Sequence, residues 1–169
     1  MKSFRLFQVL TLSLICSFLL TSTSSFAGKK VDFTAEWTLN EDKSDFGDGP
    51  ALAAFKIVVK QEGETITIER TRMGRDGEER TSSATLTMDG KENINENERG
   101  TSNSVVSWSD DGTNLIINSI REFNRDGQTF EMNSNEVWTL SEDGKILKIQ
   151  SNVSSPRGER SVSLIYDKT

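Results

Sequence analysis

Four charged residues stand where an alternating pattern would set them among apolar neighbours. Arg70 and Arg72 continue the parity of Ile66 and Ile68, Arg121 that of Leu115 and Ile117, and Glu136 that of Met132 and Trp138. In an extended strand successive side chains face opposite sides, so residues of one parity share a face. If that face is an interior, three guanidiniums and one carboxylate are drawn out of water, and each then needs a partner. The charges can pair with one another, as Arg70 would with Glu136. An anionic ligand can complete them instead, as in carriers that hold a carboxylate on interior arginine. Alternatively the parity breaks near strand ends and they reach solvent. Trp108, which follows the parity of Val106, and Met132, which follows that of Phe130, are the apolar interior candidates beside them.

Other chemistry has fewer parts to work with. The chain has no histidine, and its one cysteine, Cys16, lies in the first 27 residues. Beyond that point no disulfide or thiol nucleophile is available, and the usual ligands for zinc and copper are missing. Asn93, Asn95, Asn97 and Glu98, or Asp42, Ser44, Asp45 and Asp48, have the oxygen density for calcium but lack the glycine of an EF-hand loop; they read first as polar loops. Serines are plentiful and none lies in a nucleophile-elbow motif. The chain is therefore not expected to be an enzyme, nor to carry a cofactor or metal.

The elements that must position the charges are strands. Asp-Gly pairs at Asp48-Gly49, Asp76-Gly77, Asp89-Gly90, Asp111-Gly112, Asp126-Gly127 and Asp143-Gly144 mostly separate runs that alternate apolar and polar residues. Asp-Gly tolerates the positive φ that tight hairpin turns require. With further turns at Glu62-Gly63 and near Gly100, the pattern predicts an all-β antiparallel meander of about ten strands in one domain. The first strand runs through Val31, Phe33, Ala35, Trp37 and Leu39. The irregular stretch from Asn40 to Pro50 is placed where it could cover a barrel mouth. Uniform hairpin connectivity favours a sheet closed into a barrel, which removes exposed edges, over a β-sandwich.

Residues 1–27 read as a secretory signal: Lys2 and Arg5, an apolar run from Leu6 to Leu20, and Ser25-Phe26-Ala27 before a break at Gly28. The expected product is residues 28–169, secreted or periplasmic, without an integral membrane segment. Cleavage takes away two positive charges and no negative one, so the formal net charge of −6 deepens. That balance argues against nucleic acid as a partner.

The stretch Phe33-Thr34-Ala35-Glu36-Trp37-Thr38-Leu39-Asn40, followed by Lys43-Ser44-Asp45-Phe46-Gly47, resembles the opening of small, uncharacterised secreted bacterial proteins with a lipocalin-like β-barrel domain. Met88-Asp89-Gly90-Lys91, Trp138-Thr139-Leu140-Ser141 and the terminal Tyr166-Asp167-Lys168 extend the resemblance. It implies a small apolar or amphipathic ligand held in the barrel interior. It also implies that Trp37 closes one end of the barrel beneath an arginine, for which Arg160 is the candidate, in a cation–π contact worth about 0.5 to 2 kcal/mol. The alternative is a filled barrel serving as a structural or protein-interaction module of the cell envelope.

Overall fold

The computed structural model describes residues 30–48, 53–97, 100–125 and 127–169. The expected leader, its cleavage point, Cys16, Glu98 and two of the turn residues, Gly49 and Asp126, lie outside them. The described chain forms ten antiparallel strands: β1 (Ala35–Leu39), β2 (Lys56–Glu62), β3 (Thr65–Met73), β4 (Glu79–Thr87), β5 (Glu92–Asn97), β6 (Gly100–Trp108), β7 (Asn114–Arg125), β8 (Gln128–Leu140), β9 (Ile146–Ser155) and β10 (Gly158–Lys168). They make one sheet in the order β4-β3-β2-β1-β10-β9-β8-β7-β6-β5. The expected meander is present, and the first and last strands meet, with Trp37 opposite Lys168 and Leu39 opposite Tyr166.

Closure stops one pair short. β4 and β5 follow each other in sequence but do not share a ladder, and they form the two ends of the sheet. At the base of this seam Asn93 substitutes for the missing ladder: its Oδ1 accepts from the Thr87 N–H at 2.7 Å, while its Nδ2 donates to the Thr87 carbonyl at 3.2 Å and to the Ser104 carbonyl at 3.1 Å.

Because hairpins alternate between the two ends of a meander, the barrel has a closed end and a mouth. Turns at Gly63, Gly90, Gly112 and Gly144, all with positive φ, ring the closed end. Two of these turns share one device. Ser109 and Ser141 each donate their hydroxyl to the turn aspartate, Asp111 or Asp143, and accept the N–H of Asn114 or Ile146.

The closed end is sealed by the residues preceding β1. The first strand is shorter than its alternation implied: it starts at Ala35, and Val31 to Thr34 cross the barrel floor instead. Gln61 takes over as their backbone partner, accepting the Phe33 N–H on its side chain and donating Nε2 to the Val31 carbonyl at 3.3 Å. Phe33 is fully buried, stacked on Trp108 with centroids 6.1 Å apart and edge-on to Trp138 at 5.9 Å. Around it pack Ile66, Leu86, Leu115 and Leu147, so this half of the barrel is solid. Truncating an aromatic side chain in such a core costs about 3 to 5 kcal/mol.

At the other end the segment after Leu39 makes a 3₁₀ turn, Glu41–Lys43, then continues alongside β10 toward the mouth, with Asp45 bridging Ser163. It occupies the place beside β10 that β1 vacates.

The turn carboxylates add to the acid sensitivity of the fold. Hydrogen bonds from Ser109 and Thr113 hold Asp111 at about 2 against an ordinary 3.8, and Lys91 and Thr87 hold Asp89 similarly at about 2. A carboxylate with a depressed folded-state pKa contributes stability that is present above its unfolded value and is lost as pH falls through its folded one. Urea midpoints of the wild type should therefore fall between pH 4 and about 2. Asp111→Asn should start lower at pH 7 and lose less over that interval; parallel wild-type and variant profiles would show that the turn carboxylate does not add to that sensitivity.

Candidate functional site

β3 stays regular to its end, so Arg70 and Arg72 keep the parity of Ile66 and Ile68 and face inward, as their spacing implied. β7 likewise carries Leu115, Ile117, Ser119 and Arg121 on its inner face, and β8 carries Met132, Ser134, Glu136 and Trp138. The four charges come together above the packed half, but they do not share one role.

Arg70 Nη2 donates to Glu136 Oε2 at 2.6 Å, and the same oxygen accepts the indole N–H of Trp138 at 2.9 Å. The Arg70 guanidinium also lies over the Trp138 ring, 5.6 Å from its centroid. Both charged side chains retain some solvent access, 23% for Arg70 and 21% for Glu136. The pair thus caps the apolar half and forms the floor of the open half.

Arg72 and Arg121 are placed differently. Both guanidinium-bearing residues are exposed, and neither makes a hydrogen bond or ion pair with another described residue. Arg72 is nonetheless ringed by protein. Desolvation pulls its pKa down from 12.5, with Arg70 and Arg121 adding to the fall while Glu136 and Tyr166 oppose it. Arginine stays protonated through such a shift, so the mouth keeps both charges. They share an open hollow of about 560 Å³ with Met73, Gly74, Arg80, Thr81 and Ser82. Met132 stands opposite Arg121 in register and is half-buried, and next to that pair Phe123 and Phe130 stack at 5.6 Å. Tyr166 is held deeper: its hydroxyl donates to the Ala54 carbonyl at 3.0 Å, and burial pushes its pKa up to about 12.

The remaining sequence candidates are elsewhere. Trp108 belongs to the closed end, against Phe33 and under the Lys30 ammonium at 5.8 Å, with its buried indole N–H lacking a partner among the described residues. Trp37 is fully buried, but the cation over its ring is Lys168 at 5.7 Å. Arg160, the residue expected there, lies eight residues earlier on β10, roughly 26 Å along an extended chain, and donates to the Phe46 carbonyl at 2.7 Å. Asn93 and Asn95 lie on β5, and no group of three or more acidic, cysteine or histidine side chains converges among the described residues.

Sequence reasoning missed Arg80 and Ser82, and placed Trp138 on the inner face without its hydrogen bond to Glu136. Arg80 and Ser82 are the register partners of Arg72 and Arg70, but β4 reads as a polar run before Ala84, so nothing in its alternation marks an inner face. Arg80 is held by Asp76 across the hairpin turn. A second hollow of about 420 Å³ lies along the outer face of β7 to β10, but its amides and hydroxyls largely satisfy each other, as in the 2.8 Å Asn135–Asn118 and 2.6 Å Ser161–Asn152 hydrogen bonds.

No protein-family model matches the chain, and a search of curated proteins finds no match. Among solved structures, zebrafish ileal bile acid-binding protein complexed with cholic acid matches with a TM-score of 0.51 at 16% identity, over 81% of this chain and 98% of that one. The fold is a calycin-like barrel. The likeness concerns the backbone path.

The crossing pair should behave as a unit. Arg70→Met strands the Glu136 carboxylate with only the Trp138 N–H, and the expected loss is about 1 to 3 kcal/mol, below that of a fully buried pair because both groups touch solvent. Glu136→Gln should also destabilise, and the double variant should recover part of the summed loss in urea titrations. Strict additivity would mean the two groups are not coupled.

Proposed function

We propose that this protein is a non-catalytic carrier that binds a small amphipathic anion in the open half of its barrel. The anionic group sits between Arg72 and Arg121, and the apolar part lies against Met132 and the Phe123–Phe130 stack. One observation carries the reading: two inward guanidiniums share a hollow of about 560 Å³ without a protein counter-ion among the described residues. In a chain of formal net charge −6, with acidic groups in excess, such a pair is not the product of a generally basic surface. The fold shared with a barrel whose solved structure holds cholic acid supports the same ligand class. With a leader at residues 1–27, the carrier would act outside the cytoplasm, as a secreted or periplasmic protein of the bacterial kind that its opening motif resembles.

This assignment moves the head group away from Arg70, whose charge Glu136 already neutralises. A fluorescent fatty acid should bind saturably at pH 7. Arg72→Gln/Arg121→Gln should weaken it about tenfold or more, since a charge-assisted hydrogen bond contributes roughly 1.5 to 3 kcal/mol. The fold should survive, because neither arginine supports another described side chain. The packed closed half favours the competing reading, a filled structural barrel acting through its surface, and that reading predicts no saturable binding by the wild type.

A further inference from the structure

The charges that the described residues bring to the hollow and its floor can be counted. Arg70 is paired with Glu136 and Arg80 with Asp76, which leaves, among the described arginines there, Arg72 from β3 and Arg121 from β7. They stand on different walls of the barrel and open to the same hollow, whose lining includes the Ser82 hydroxyl and no carboxylate. A single carboxylate can balance one of these guanidiniums and leaves the other facing a filled, partly desolvated mouth. We propose that the ligand's head group is a dianion, a phosphate monoester borne on an apolar chain, clamped by Arg72 and Arg121 together.

The geometry of the groups agrees with the count. A terminal phosphate presents three oxygens, enough to accept from two planar guanidinium forks approaching from opposite sides, and guanidinium matches phosphate in bidentate fashion. Gly74 helps to keep Arg80 out of this clamp. A Cβ at that position would come within 2.4 Å of Asp76 Oδ1 and 2.9 Å of Arg80 Nε, so its absence lets the Asp76–Arg80 pair fold back against the turn. Arg72 also feels Arg121 electrostatically, and the repulsion between the two is relieved most by a ligand carrying both counter-charges.

The proposal rests on the carrier reading, and one comparison separates the two. Hexadecanoate and hexadecyl phosphate, titrated calorimetrically below their micellar concentrations, present the same chain with one or two charges. At pH 8, where the phosphate is predominantly dianionic, hexadecyl phosphate should bind about tenfold or more tightly than hexadecanoate. At pH 5, below a second phosphate pKa of about 6, that preference should collapse. Arg72→Gln and Arg121→Gln should each cost the phosphate about tenfold while changing hexadecanoate affinity by less than about threefold, because one guanidinium remains. Equal affinity of the two wild-type complexes at pH 8, or a phosphate preference that survives in both single variants, overturns the dianion and leaves the carrier standing. Saturable binding of neither probe overturns the carrier itself, and with it the dianion.

Discussion

The contact on which the molecule is organised is the ion pair that Arg70 and Glu136 make across the barrel. β3 and β8 are five places apart in a ten-strand order, so the pair joins walls that face each other rather than neighbours in the sheet. Below it apolar side chains pack around Phe33, Trp138 and Leu115; above it the interior is open and charged. The position of the crossbeam sets the depth of the open half.

Its chemistry follows from what lies directly beneath. A carboxylate at the boundary between apolar packing and a wet cavity needs donors from both sides, and Glu136 receives them: the indole N–H of Trp138 from below and the Arg70 guanidinium from across. The guanidinium in turn rests on the Trp138 ring, so the tryptophan holds both members of the pair. Such an arrangement contributes little net stability over an apolar substitute, but it tolerates the loss of one member poorly. It also keeps Arg70 occupied, while Arg72 and Arg121 have no partner among the described residues.

Much of the scaffold was legible because the signals were local. Asp-Gly turns need positive φ, and Gly77, Gly90, Gly112, Gly127 and Gly144 all have it. At Gly100 the reason is steric as well, since a Cβ there would meet the Glu122 carbonyl oxygen at 2.0 Å. Parity likewise put Arg70, Arg72, Arg121 and Glu136 on the inner face of their strands, with Arg72 and Arg121 at its exposed end. Which of these charges would meet was not legible, because Arg70 and Glu136 are far apart in sequence and only barrel curvature brings them together. The same limit explains the arginine expected over Trp37. A cation near a tryptophan was a fair inference, but register along β10 puts Lys168 there and carries Arg160 toward the mouth. The floor segment Val31 to Thr34 looked like more strand because Gln61, a side chain, replaces the ladder that its alternation implied.

The pairing of β1 with β10 has a consequence for how the chain comes to be folded. Thr38 and Thr169, hydrogen-bonded side chain to side chain, are 131 residues apart, and the strand that separates β2 from β10 in the sheet is the earliest in sequence among the described residues. Until β10 is in place, β1 has one neighbour and the barrel has no wall on its other side. Topologies that depend on such distant contacts close slowly, since the entropy of the intervening loop is lost before the contacts reward it. However early the intervening hairpins form, the barrel of this design cannot shut until β10 has joined β1.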